Sequence, residues 1–201
     1  EGDIMNMLPI RRAILSVTDK TGLEDFARFL QECGVELVST GGTRKKLVQA
    51  GLKVRSVSDV TGFPEILGGR VKTLHPHVHA GILADKDDST HMQTLKDLRL
   101  TPFDLVCVNL YNFAEAVRQT LEDKQAVEQI DIGGPTMLRA SAKNFHSVAV
   151  IPDPSHYAEC MKEMKENGGA LSLEFRKRMA VATFALTSGY DRMITEYLSR
   201  S

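Results

Sequence analysis

Ala13-Ile14-Leu15-Ser16-Val17-Thr18-Asp19-Lys20-Thr21-Gly22-Leu23-Glu24 decides the fold class. Its first half is a short apolar run led in by Arg11-Arg12, and its second half is polar and opens a helix. A run of this kind without strict alternation is how a strand covered on both faces reads. A helix start directly behind it marks a βα unit. Thr21-Gly22-Leu23-Glu24 has the form of a capping box. Leu23, Phe26, Ala27 and Leu30 then repeat at helical spacing, and Gly34 supplies the stop.

The same unit recurs along the chain. Residues 35–39 read as a second strand, and Thr40-Gly41-Gly42-Thr43 turns into a helix carrying Leu47 and Val48, closed by Gly51. Residues 53–57 form a third, shorter strand, and residues 103–110 the clearest one. Residues 112–121 are patterned as a helix. Ile132-Gly133-Gly134-Pro135 predicts a tight turn into a helix with proline at its first position, carrying Met137, Leu138 and Ala142. Residues 148–151 are a further strand, ended by Pro152 and Pro154, and everything from Ser155 onward is helical in pattern, broken near Asn167-Gly168-Gly169. This order predicts a single α/β domain over residues 1–201. It is a Rossmann-like, mostly parallel sheet with helices on both faces and a helical C-terminal segment.

Bulk properties narrow the function classes. A chain of 201 residues buries roughly 70% of its unfolded surface, so no disulfide or metal staple is required. A formal net charge of −1 argues against nucleic acid or a membrane surface as partner. No apolar run approaches the ~20 residues that span a bilayer, and residues 1–8 carry no signal-peptide core. Glu1 is not an initiator, which makes the first few residues read as a processing remnant, with Met5 or Met7 as a natural start. Cys33, Cys107 and Cys160 are widely spaced and outside any metal motif. They read as buried apolar thiols in a reducing cytoplasm.

Two strand-to-helix turns carry the first chemical signal: residues 16–22 and 39–43. Each puts hydroxyls, free backbone N–H groups and a helix N-terminus at the carboxyl end of a strand, and Lys20 adds a full positive charge. Such places bind phosphate, and in open α/β sheets ligands sit at that end. Neither turn is a Walker loop or a dinucleotide fingerprint, so plain helix capping stands beside phosphate binding as a reading. The stretch 61–76 is long and rich in glycine and proline, with Arg70, Lys72 and His75 among residues fit for burial such as Phe63 and Leu74. It reads as an active-site loop. His75, His77 and His79 would share one face of an extended chain but make an incomplete zinc set, so no metal is expected. Asp131, just before a helix start, and Lys143, later on that helix, read either as a cap and a surface cation or as groups that would suit proton transfer near a nucleotide.

Together, several of these segments resemble the inosine monophosphate (IMP) cyclohydrolase family, the amino-terminal domain of the bifunctional purine-biosynthesis proteins. The residues concerned are Thr-Asp-Lys-Thr-Gly at 18–22, Ser-Thr-Gly-Gly-Thr at 39–43, Thr-Gly-Phe-Pro-Glu at 61–65 and Gly-Gly-Arg-Val-Lys-Thr-Leu-His-Pro at 68–76. Asn-Leu-Tyr at 109–111, Gln-Ile-Asp-Ile-Gly-Gly at 129–134 and Arg-Ala-Ser-Ala-Lys-Asn at 139–144 complete the likeness. Position 77 lies outside it, and Asn112 stands where the family usually has proline.

The resemblance implies a methylglyoxal-synthase-like fold and dehydrative ring closure of 5-formamidoimidazole-4-carboxamide ribonucleotide to IMP. No cofactor and no metal are implied. Thr18, Lys20, Thr40, Gly41, Gly42 and Thr43 would hold the 5′-phosphate. Arg70, Thr73, Asn109 and the backbone of Ile132 and Gly133 would hold ribose and base. Asp131 would accept the carboxamide proton, Lys143 positioned by Tyr111 would serve the formyl oxygen, and Lys72 would stabilise developing negative charge. The family is dimeric when intact, which leaves a homodimer open here. Transformylase activity is expected from a separate domain or protein. Two rivals fit the fold: a methylglyoxal-synthase-like lyase, and a non-catalytic module binding phosphorylated effectors.

Overall fold

The computed structural model describes residues 6–110, 112–118 and 123–200. In chain order the elements are β1 (Leu8–Pro9), β2 (Arg12–Ser16), α1 (Leu23–Glu32), β3 (Glu36–Ser39), α2 (Gly41–Gln49), β4 (Val54–Ser56), α3 (Val57–Thr61) and α4 (Pro76–Leu83). There follow α5 (Ser89–Asp97), β5 (Leu105–Val108), α6 (Phe113–Ala116), α7 (Asp123–Val127), α8 (Gly133–Lys143), β6 (Ala149–Ile151), α9 (Tyr157–Glu166), β7 (Ala170–Leu171) and α10 (Leu173–Leu198).

Five strands form one sheet in the order β4-β3-β2-β5-β6, and every neighbouring pair is parallel. β5 and β6 are buried along their whole length, so both faces of the sheet are covered. The opening apolar run is the central strand: Ala13, Ile14 and Leu15 have no exposed surface. α1 packs on β3, α2 on β2, α8 on β5 and α10 on β6. The amino ends of the strands are closed by a polar knot. Asp104 accepts the N–H groups of Arg11 and Arg12 at 2.9 Å each, pairs with Lys86, and leaves Arg12 to donate to the Thr101 carbonyl at 2.7 Å. Burial lowers the pKa of the Lys86 ammonium, against the pull of Asp104. The carboxyl ends are left as the open side of the sheet.

Local departures from the sequence reading have identifiable causes. Gly22, at φ 66°, is the N-cap of α1 without a side-chain bond; the Thr21 N–H goes to Asp19 Oδ1 at 2.9 Å, so the expected capping box does not form. α8 starts at Gly133, which makes Pro135 its third residue rather than its first. Helical structure over 112–121 is confined to the four residues of α6, and residues 119–121 lie outside the described part. The segment after Ser155 is not purely helical: β7 pairs antiparallel with β1, Leu8 against Leu171 and Pro9 against Ala170. Two-residue strands carry no periodicity to read.

The cysteines also split. Cys107 and Cys160 are buried, and burial raises both thiol pKa values, that of Cys107 to about 12. Cys33 is exposed, which corrects the reading of all three as buried. With a thiol reagent at pH 8, one sulfhydryl of the three is expected to react in the native protein and all three in urea. Fast reaction of a second thiol in the native state would contradict this packing.

Candidate active site

The strand order creates the site. From β2 the chain steps to β3 on one side, and β5 lies on the other, so the loops leaving β2 and β5 diverge over a crevice at their carboxyl ends. Asn109, just past β5, spans that crevice. Its Oδ1 accepts the N–H groups of Thr18 at 2.7 Å and Asp19 at 3.0 Å, and its Nδ2 donates to the Asp19 carbonyl at 2.8 Å. Thr43 makes a second tie: its hydroxyl accepts from the Val17 N–H and donates to the Val17 carbonyl, both at 3.0 Å. Both side chains are buried. The sequence reading assigned them to the ligand, but their polar atoms hold the two turns in register.

What the β3–α2 turn offers a ligand is backbone. Thr40 is the N-cap of α2 and makes no side-chain cap bond, so the leading N–H groups of the helix are open. Lys20 lies across the junction, its Nζ 3.3 Å from the carbonyls of Val17 and Thr18 and its stem against Gly42. Open amides, a helix N-terminus and an ammonium favour an anion together. The Asp19 carboxylate takes the side-chain and backbone hydrogen bonds of Thr21, which hold its pKa below the usual carboxylate range.

The crevice widens into a cleft of about 520 Å³. Thirteen of the fifteen predicted site residues line it: Thr18, Lys20 and Asn109; Thr40, Gly41, Gly42 and Thr43; Arg70, Lys72 and Thr73; Asp131, Ile132 and Gly133. The loop bearing Lys72 is folded back by a bridge between Ile66 and Val71. Gly69 is required there. At φ 91° it is left-handed, and a Cβ would stand 2.6 Å from Glu65 Oε1 and 3.7 Å from Lys72 Nζ. Gly133 is required too, because a Cβ would stand 2.7 Å from the Thr73 hydroxyl. Arg70 is exposed and faces Glu128 at 3.7 Å, a surface pair of little energetic weight.

Asp131 is aimed from two sides. Its Oδ1 accepts the Gly134 N–H at 3.1 Å, and its own N–H donates to the Tyr190 hydroxyl at 2.8 Å. Tyr190 is buried on α10, edge-on to Phe113, and burial raises the pKa of its phenol. Sequence reading missed Tyr190, which sits 59 positions from Asp131 in a segment that reads as plain helix.

Two predicted residues are not in this lining. Tyr111 lies outside the described residues. Lys143 is exposed at the last position of α8, about 15 Å along the axis from Gly133. The lining follows α8 as far as Met137, so the cleft runs along the flank of that helix for its first turn. The histidines do not make a common face: α4 begins at Pro76, and His75 caps it by accepting the His77 N–H at 3.1 Å. Among the described residues, no group of three or more histidine, cysteine or acidic side chains could hold a metal.

Removing either tie tests the architecture. Asn109→Leu and Thr43→Val each strip a buried side chain of its bonds to the Thr18–Asp19 or Val17 backbone. A loss of about 1–3 kcal/mol in urea unfolding is expected for each, together with weaker anion binding at the cradle. Thr43→Ser, which keeps the hydroxyl, should stay near wild type in both. Equal behaviour of Thr43→Val and Thr43→Ser would remove the role given to that hydroxyl.

Comparison with known proteins agrees with this geometry. The family model described as MGS-like domain matches residues 22–136, and that of the AICARFT/IMPCHase bienzyme matches residues 141–201. Two curated relatives are named Bifunctional purine biosynthesis protein PurH. The one from Mesorhizobium japonicum is 51% identical over 196 residues, 98% of this chain and 36% of that protein. The one from Acetivibrio thermocellus is 51% identical over 190 residues, 94% of this chain and 37% of that protein. The chain therefore spans little more than a third of these relatives' length. A crystal structure of ForH superimposes with a TM-score of 0.81 and 34% identity, over 93% of this chain and 98% of that one. With more than half its length inside one family model and a solved relative covered almost end to end, the chain belongs to the family of MGS-like domains.

Proposed function

We propose that this chain is an IMP cyclohydrolase, closing 5-formamidoimidazole-4-carboxamide ribonucleotide to IMP with loss of water. One observation carries the reading. A single cleft holds an anion cradle with Lys20 in one wall and both Asp131 and Lys72 in the others. The matches to the two family models and the relatives' printed names support it. The reaction is intramolecular, so the enzyme has to fix the rotation of two groups already tethered to one ring. The carboxamide nitrogen attacks the formyl carbon, a C–N bond forms, and the formyl oxygen departs as water.

An amide nitrogen is a poor nucleophile, so a base and a stabiliser of negative oxygen are needed. Asp131, held by Gly134 and Tyr190, accepts the carboxamide proton. Lys72 faces the oxygen as charge builds. Arg70, Thr73 and the backbone of Ile132 and Gly133 frame ribose and base. Tyr111 and Lys143 serve the departing oxygen, a role that rests on the motif resemblance and needs the substrate laid along the flank of α8. A lysine side chain leans toward the helix N-terminus, which shortens the gap from Lys143 to Met137.

No helix among the described residues is long and apolar enough to cross a membrane. The chain would act in the cytoplasm, without metal or folate, and transformylase activity would come from a separate domain or protein. A homodimer belongs to the same proposal. A methylglyoxal-synthase-like lyase would need the phosphate cradle but not Lys72 on its glycine-hinged loop. An effector-binding module would need neither Asp131 nor Lys72.

The test is direct. The chain is given the formylated ribonucleotide, with chelator and without folate, and the ultraviolet change on forming hypoxanthine is followed. Turnover is expected. Lys72→Ala, Asp131→Asn and Lys143→Ala should each lower kcat by about 10²-fold or more with a small change in KM. Lys20→Gln should mainly raise KM. Wild-type turnover in both Lys72→Ala and Lys143→Ala would sink the catalytic assignment.

A further inference from the structure

A second cleft, of about 420 Å³, abuts the first and shares Thr40, Gly41 and Lys72 with it. The remainder of its wall is its own. α2 supplies Arg44, Lys45 and Val48, the β4–α3 junction supplies Val57, and the loop supplies Phe63 and Glu65. Three cations face one carboxylate. Arg44 is anchored by its Nε, which donates to the Val54 carbonyl at 3.4 Å, leaving the rest of its guanidinium fork for other partners. Apolar surface lies beside the charge: Val48 and Phe63 are each 45% exposed.

The floor holds the deciding group. Ser39, the last residue of β3, has no exposed surface, and its hydroxyl has no hydrogen-bond partner among the described residues. Buried hydroxyls are nearly always paired, so an orphan at the base of a cleft marks a place where a ligand atom completes the set. The cations in the same lining fix the sign of that ligand. The cavity is larger than a bare anion fills, and its apolar side accounts for the remainder.

We propose that this second cleft binds a small molecule carrying an oxyanion and an apolar portion, with the oxyanion between Arg44, Lys45 and Lys72. Because Lys72 lines both clefts, an occupant draws its ammonium away from the nucleotide and slows turnover without displacing substrate. This consequence rests on the cyclohydrolase reading of Lys72; the site itself does not.

Inorganic phosphate is the probe. The chain is first saturated with IMP, which fills the nucleotide cleft, and phosphate binding is then followed by ³¹P line broadening. Binding is expected to persist in the IMP-saturated protein, to weaken at least tenfold in Arg44→Gln/Lys45→Gln, and to weaken in Ser39→Ala. Lys45→Gln alone, at an exposed position, guards against a folding defect in the double variant. In turnover assays phosphate should lower kcat in the wild type but not in Arg44→Gln/Lys45→Gln. Benzoate in place of phosphate separates a carboxylate ligand from a phosphate one. Absence of phosphate binding to the IMP-saturated chain, or unchanged binding in the double variant, overturns the proposal. Should IMP itself not bind, the cyclohydrolase reading fails, and phosphate titration of Lys20→Gln still reads the second cleft by itself.

Discussion

The structure depends on a side-chain amide laid across a gap in a parallel sheet. β2 and β5 are hydrogen-bonded neighbours, but the chain leaves them in different directions. The backbone of the loop after β2 therefore has no ladder to join. Asn109 supplies the missing partners, two acceptances and one donation to residues 18 and 19. Thr43 does the same for Val17 from the other flank. Left unsatisfied, these backbone groups would destabilise the turn. The phosphate-type cradle is thus a property of the protein before anything binds, which is what preorganisation requires.

A second constraint is closeness. The glycine-hinged loop comes near enough to α8 that a Cβ at position 133 would stand 2.7 Å from the Thr73 hydroxyl. This approach brings Lys72 and Asp131 into the lining of one cleft although 58 residues separate them in the sequence. Lys72 also stands in the wall between two clefts, so its charge is shared between neighbouring spaces.

Much of this was legible in the sequence because it rests on local rules. Apolar runs followed by capping residues predicted the βα units, and glycine–threonine turns behind strands predicted open amides at the carboxyl ends. The resemblance carried the residue list further than spacing could, and thirteen of those residues meet in one cleft. What stayed hidden was long-range or very short. Tyr190 touches Asp131 through tertiary packing alone. The β1–β7 pair is two residues long on each side. Sequence also could not tell a ligand contact from a structural tie. Asn109 and Thr43 are polar residues in the right loops, yet their atoms are occupied by the chain itself. The alternating histidines share no extended face because Pro76 opens a helix.

The placement of Tyr190 bears on synthesis. Every residue of the cleft lining has been made by position 137, yet the hydroxyl that orients Asp131 belongs to a helix that runs to Leu198. A growing polypeptide on the ribosome therefore carries every strand of the sheet and both turns before the partner of the Asp131 N–H has been made. That backbone group is satisfied only once the closing helix has been made and packs against α8.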